Sequence, residues 1–345
     1  MKRIFNWLPK VEMLAISLIA ILFLALLLFP GSRELTPPEP EFSSEMTLYS
    51  NGPITPLPDS MPNLNPEKVA LGKKLFHDPS LSHDNTIACA SCHQLERGGV
   101  DGVQYSTGIQ GNLSRLNAPT VFNSVFNFRQ FWNGRAETLQ EQVAEPIHNP
   151  LEMASNWAEV IRKLKKNQRY VTAFAQIYST GIQEDNIADA IATFVSSLVT
   201  PNSRFDKYLK GEAHAITPYE LSGYALFTSY GCISCHQGVN VGGNMYEKLG
   251  IMRDYFATQS NITEADKGRF TITQKPEDMY KFKVPGLRNV ALTAPYFHNG
   301  SAQSLEQAVI TMGKYQLGVF IPQEDVSKIV AFLRTLTGEY DGKPL

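Results

Sequence analysis

The chain has 345 residues, enough for an N-terminal segment and two modest domains that each bury a core. Lys plus Arg is 31 and Asp plus Glu is 33, so no basic field exists to hold a nucleic acid, and that class of partner is excluded.

Residues Met13 to Phe29 carry no charge and are almost wholly apolar, at the lower limit for a membrane-crossing helix, with Lys2, Arg3 and Lys10 before them. The run exceeds the apolar core of a usual signal peptide, and Phe29-Pro30-Gly31-Ser32 lacks an A-x-A cleavage pattern. Residues 1–29 are therefore expected to be an uncleaved anchor, with a cleaved signal segment as the alternative. Either way the remainder is exported. From Pro30 to Pro58 seven prolines occur with little apolar periodicity, the composition of an extended tether over 30–58. Folding is expected to begin at Asn65-Pro66-Glu67, an N-cap, a proline at the first helical position and an acid at the positive helix end, ahead of Val69, Leu71, Leu75 and Phe76.

Next comes Cys89-Ala90-Ser91-Cys92-His93, and the same C-x-x-C-H pattern returns as Cys232-Ile233-Ser234-Cys235-His236. These two pentapeptides use every cysteine. Two thiols three positions apart can reach both vinyl groups of one porphyrin while the following imidazole meets the iron, so each reads as a covalent attachment site for haem c. Zinc, a disulfide or a redox C-x-x-C are the alternatives, but none requires a histidine after each second cysteine. Covalent haem implies the periplasmic side of a bacterial inner membrane.

A weak repeat accompanies the two sites. Gly72-Lys73-Lys74-Leu75-Phe76 matches Gly223-Tyr224-Ala225-Leu226-Phe227, and each site continues with glutamine (Gln94, Gln237) and a glycine pair (Gly98-Gly99, Gly242-Gly243). Nothing outside these strings is read as repeating, and chance similarity is the alternative. Trp157, Ile161 and Leu164 share one helical face; Ile187, Ile191, Phe194 and Leu198 share another. Thr200 to Arg204 reads as a domain junction, Thr217-Pro218-Tyr219-Glu220 as a capping box, Ser304-Leu305-Glu306-Gln307 as a helix start, and Val326, Val330 and Leu333 as the face of the last helix. The expected fold is mainly α, with two cytochrome c-like haem domains in tandem over 59–205 and 206–345.

From Leu71 to Gly318 the chain resembles the bacterial dihaem cytochrome c peroxidase family. The matching strings are Leu71-Gly72-Lys73-Lys74-Leu75-Phe76, Phe131-Trp132-Asn133-Gly134-Arg135-Ala136-Glu137, and the run from Val284-Pro285-Gly286-Leu287-Arg288-Asn289 through Tyr296-Phe297-His298-Asn299-Gly300. The resemblance implies reduction of hydrogen peroxide to water in the periplasm, with single electrons from a small cytochrome c or cupredoxin. It places His236 and Met312 on the iron of the second, electron-transferring haem, a pairing that raises reduction potential. By spacing alone, Met312 could equally be core packing beside Leu305 and Val309. It places His93 on the iron of the first, peroxidatic haem, with Gln142 and Glu152 over an open face for orientation and proton transfer. Read without the family, Gln142 is a solvated helix position and Glu152 a loop acid. Trp132 matches the family's tryptophan between the haems, and its plainer reading is an aromatic core residue. Asn117, Thr293 and Pro295 match positions that hold a calcium ion, whose oxygen preference they suit. A homodimer is left open.

One departure matters. Many family members carry a histidine in the loop after the first haem, which blocks that iron until the second haem is reduced. Here Val100 to Asn112 contains neither histidine nor methionine, and Ile109 stands in the histidine's place. An open first haem and a peroxidase needing no reductive activation are expected. Tyr105 and His83 are the alternative sixth ligands, and His298 suits a structural or electron-entry role. Two other functions compete: an oxidase of a protein substrate resembling the enzyme that matures the tryptophylquinone of methylamine dehydrogenase, and a dihaem electron carrier. The first relative has tyrosine where this chain has Met312.

Overall fold

A computed structural model describes residues 52–345, so the expected anchor at 1–29 and the tether up to residue 51 lie outside the described residues. Among the described residues no helix is long and apolar enough to cross a membrane. The helices are α1 (Pro66–Phe76), α2 (Cys89–Cys92), α3 (Leu139–His148), α4 (Trp157–Lys165), α5 (Gln168–Ile177), α6 (Glu184–Ser197), α7 (Arg204–Leu209), α8 (Pro218–Ser229), α9 (Phe270–Thr273), α10 (Leu305–Thr311) and α11 (Gln323–Arg334). Strands are few: β1 (Tyr246–Lys248) pairs antiparallel with β2 (Lys281–Lys283), and β3 (Glu339–Tyr340) with β4 (Lys343–Pro344). The chain is mainly helical, with long irregular stretches between.

Helix starts follow the local chemistry. Asn65 accepts the N–H groups of Glu67 and Lys68 at the head of α1, and Thr217 and Glu220 close a reciprocal capping box on α8. Three apolar clusters result among the described residues, the smallest formed by Leu249, Tyr255, Phe256 and Phe282. The first gathers Leu75 and Phe76 of α1, Val143 and Ile147 of α3, and Ile187, Ile191 and Phe194 of α6; the second gathers Tyr224 and Phe227 of α8, Leu305 of α10, and Val326, Val330 and Phe332 of α11.

The tether expectation needs a correction at its end. Ile54 and Leu57 are each 1% exposed, and Ile54 packs into the second core. Pro53 and Thr55 carbonyls accept from Gly238 N–H and the Arg288 guanidinium, and Leu57 N–H donates to Asp206 Oδ1 (3.2 Å). Ile54 and Leu57 anchor this strap with two buried apolar side chains.

The repeat also extends much further than the sequence reading allowed. In each half a glycine lets the helix before the haem motif cross a later helix at backbone contact. A Cβ at Gly72 would collide with the Ala190 carbonyl of α6, and one at Gly223 with the Lys328 carbonyl of α11. Phe76 then meets Phe194, and Phe227 meets Phe332, each with ring centroids 5.3 Å apart. After each motif the glutamine carbonyl accepts a glycine N–H, Gln94 from Gly99 (2.8 Å) and Gln237 from Gly242 (2.7 Å). Beyond lie Pro119 to Asn123 and Pro285 to Asn289, ending on asparagines with φ of 59° and 61°. Both asparagine amides donate to one hydroxyl, Thr200 Oγ1, at 2.7 and 2.9 Å. Equivalent residues of the two halves thus meet at buried Thr200, the residue that opens the expected junction.

Candidate haem sites

Two cavities follow from this duplication. The first, about 570 Å³, is lined by Cys89, Cys92 and His93, and the second, about 260 Å³, by Cys232, Cys235 and His236. The first lies within the range of small-molecule and cofactor pockets, about 300–1,000 Å³, and the second close to its lower end. Asn117, Ala118, Pro119, Thr120 and Trp132 line both, so a single thin wall separates them.

In each motif the histidine main-chain N–H donates to the first cysteine's carbonyl at 3.0 Å, closing one turn. His93 Nδ1 meets the Gly99 carbonyl at 3.3 Å, leaving Nε2 as the nitrogen for a metal. His236 Nδ1 is buried with no hydrogen-bond partner, beside the Val241 and Pro285 carbonyls but outside bonding geometry. Burial lowers the pKa of both imidazoles, that of His236 to about 4, which keeps them in the neutral form that ligates iron. Burial also pushes the Cys89 thiol up to about 12 and the Cys232 thiol up to about 11. No disulfide joins any of the four cysteines. Among the described residues no three His, Cys, Asp or Glu side chains converge as a zinc site requires, and the two cysteine pairs serve different cavities. A flat, largely apolar group with a central metal fits the chemistry of each cavity, which offers two thiols, an imidazole and carbon-rich walls.

The cavities differ in what α3 and α10 bring to their walls. Leu139 and Leu305 are the first residues of α3 and α10, capped alike by Thr138 and Ser304, and seven residues on stand Pro146 and Met312. Pro146 lines the first cavity and Met312 the second, where it opens a π-helical turn, Met312–Leu317. A thioether can bind iron and a pyrrolidine ring cannot. Three residues into each helix the contrast repeats, Gln142 on the first cavity against Ala308 on the second.

Glu152 also lines the first cavity. Burial raises its pKa, opposed by the charge of Arg135 and a hydrogen bond from Asn149. Asn149 Nδ2 donates to Glu152 Oε1 (2.7 Å), while its Oδ1 and carbonyl accept the N–H groups of Leu151 and Glu152. This asparagine was missed by sequence reasoning; the Asn149-Pro150 turn signal after a helix was there to find it. The loop with Ile109 is pinned to the same segment: Ile109 N–H donates to the Glu152 carbonyl (2.9 Å), and a Cβ at Gly108 would collide with the Leu151 carbonyl. Ile109 is buried, and neither it nor Tyr105 lines the cavity. His83 is engaged with Glu159 at 2.9 Å and is likewise absent from the cavity wall.

Trp132 and His298 occupy equivalent places, each after a phenylalanine of positive φ (Phe131 68°, Phe297 70°) and two residues before a positive-φ glycine. The loops cross between halves: the Trp132 carbonyl accepts from Lys283 N–H (2.7 Å) and the His298 carbonyl from Asn117 N–H (2.8 Å). Trp132 Nε1 donates to the Asn117 carbonyl (2.9 Å), fixing the indole in the shared wall. His298 lines the second cavity only and donates through Nε2 to Asp266 Oδ1 (2.7 Å). Asn117, Thr293 and Pro295 all line the second cavity. The Asn117 amide nitrogen is tied to the Val103 and Gln104 carbonyls, leaving Oδ1 as its oxygen for a cation.

Comparison with known proteins agrees with this geometry. Residues 66–214 match the family described as di-haem cytochrome c peroxidase. The chain is 50% identical over 293 residues to "Cytochrome c peroxidase Ccp" of Escherichia coli, covering 85% of this chain and 62% of that protein's length. It is 44% identical over 299 residues to "Cytochrome c551 peroxidase" of Nitrosomonas europaea, covering 86% of this chain and 88% of the relative. Among solved structures, a MauG-like protein associated with microbial copper homeostasis aligns with TM-score 0.70 at 29% identity, over 86% of this chain and 96% of that one. The chain therefore belongs to the di-haem cytochrome c peroxidase family, whose members carry two haem groups.

Proposed function

We propose that the protein is a periplasmic peroxidase that reduces hydrogen peroxide to water, H2O2 + 2 e⁻ + 2 H⁺ → 2 H2O, with electrons from a small cytochrome c or cupredoxin. The observation that carries this reading is the unequal pair Pro146 and Met312 at equivalent positions, with Glu152 and Gln142 on the proline side alone. The peroxidatic half is 59–205 and the electron-transfer half 206–345, with residues 52–58 strapped to the latter. Cys89 and Cys92 would hold one haem through thioethers in the first half and Cys232 and Cys235 the other in the second, with His93 and His236 offering imidazole to the two irons and Met312 a thioether to the second. Haem iron supplies one-electron storage at the second site and the electrons for O–O cleavage at the first.

The chain's own groups do the rest. Glu152, held by Asn149, accepts a proton from the near oxygen of peroxide in the cavity and returns it to the departing oxygen. Gln142 orients the substrate by hydrogen bonding, and the neighbouring apolar wall keeps bulk water out. Trp132, at the wall between the cavities, bridges electron transfer. A calcium ion held by Asn117 Oδ1 and the carbonyls of Thr293 and Pro295 would brace that wall. Because Ile109 stands where a blocking histidine would, the first site is open in the oxidised protein. Residues 1–29 tether the enzyme to the inner membrane.

The test is steady-state peroxide consumption by the purified two-haem protein with a reduced small cytochrome c. Stoichiometric oxidation of two cytochromes per peroxide supports the reading. A spectrum indifferent to peroxide and no donor oxidation would leave an electron carrier.

A further inference from the structure

Lys283 ends β2 and is only 7% exposed, yet its ammonium makes no hydrogen bond or ion pair among the described residues. It lines the second cavity together with His236 and Met312. Burial alone lowers its pKa, to about 8, with no acid nearby to oppose it. The other charged groups on that wall are engaged or outward. Arg288 is paired with Asp206 at 2.7 Å, Glu247 accepts the Lys248 N–H at 2.7 Å and makes no ion pair with Lys283, and Lys248 is exposed. A buried ammonium without a counter-charge is strongly unfavourable, so the site is incomplete without an anion. Main-chain bonds hold the strand end where it is, through Trp132 on one side and the β1 register opposite Tyr246 on the other.

We propose that Lys283 is the counter-cation of a haem propionate in the second cavity, and that its charge favours the reduced state of that haem. The inference rests on the two-haem reading above. Haem brings carboxylates as its only anionic substituents, and reduction of the iron removes one positive charge from the site. A fixed cation beside it therefore stabilises the reduced form. The duplication sharpens the point. Lys283 stands two residues before Pro285, and its equivalent two residues before Pro119 is Asn117, a neutral amide on the wall of the first cavity. The charge is thus a device of the second half, at the site proposed to store the electron.

The test uses the loaded full-length protein. Haem stoichiometry is established first from the pyridine haemochrome, and absence of haem would sink the two-haem reading itself. Spectropotentiometric titration then follows each haem separately. Lys283→Met is expected to shift the reduction equilibrium of the second haem at least tenfold toward the oxidised form, 59 mV for one electron, with the first haem unchanged. Lys283→Arg is expected to stay near the parent value. An unaltered second-haem potential in Lys283→Met, or an equal shift in both haems, overturns the proposal. Should Lys283→Met load poorly, resonance Raman of the parent protein decides: the propionate bending band of the second haem is expected at the frequency of a hydrogen-bonded carboxylate, and a free-carboxylate frequency contradicts it.

Discussion

The two halves are built alike up to the face where they must act differently. Gly72 and Gly223, Phe76 and Phe227, Asn123 and Asn289, and the helix caps Thr138 and Ser304 play matching parts. Where α3 and α10 line the cavities the match stops: Pro146 against Met312, Gln142 against Ala308. Glu152 then joins the first cavity only. One scaffold thus builds two unequal cavities, and under the function proposed above these few side chains divide storing an electron from breaking a bond.

The largest expected effect comes from removing the first half's acid. Glu152→Gln should lower peroxide turnover by roughly 10²–10⁴, the usual worth of a positioned acid–base group, while haem content and the second-haem spectrum stay intact. Turnover within threefold of the parent would mean that Glu152 carries no proton. Next, Met312→Ala should erase the second half's distinctness, turning its low-spin optical and magnetic signature high-spin; an unaltered signature would show another ligand at work. Smaller effects test the scaffold. Gly72→Ala and Gly223→Ala each push a methyl group into a carbonyl, so each should destabilise its own half by about 1–3 kcal/mol in denaturant titrations followed at the separate haem bands. Equal loss in both halves from either variant would argue that they unfold as one unit.

The smallest effect concerns acid. Burial pushes the Asp266 carboxyl up, but hydrogen bonds from His298 and Thr263 win and hold it down at about 2 against an ordinary 3.8. A depressed carboxylate contributes stability that is fully present above the ordinary value and is lost as pH falls toward 2. Denaturation midpoints should therefore drop across that window in the parent protein and drop less in Asp266→Asn. Parallel curves would place the acid sensitivity elsewhere.

Much of this was readable in the chain. The haem motifs, Asn65, Thr217 and the faces of α6 and α11 are written in a few adjacent residues, so periodicity and capping chemistry expose them. The distal contrast was harder, because Met312 at helical spacing looks like packing and Pro146 looks like nothing. Its signal is long-range: Phe131-x-Asn133-Gly134-x-Ala136-x-Thr138-Leu139 returns as Phe297-x-Asn299-Gly300-x-Ala302-x-Ser304-Leu305, in phase with the proline–asparagine pairs before it. Other features depend on tertiary placement. The grip of Asn149 on Glu152, the burial of Ile54 and the stranding of Lys283 arise where distant segments meet, and no local pattern announces them.

The central claim, two unequal iron sites, is tested most directly by electron paramagnetic resonance of the fully oxidised protein before and after peroxide. The account predicts one low-spin and one high-spin ferric signal, with the high-spin signal lost on peroxide addition without any reductant. Two low-spin signals, both indifferent to peroxide until an electron is supplied, would contradict it.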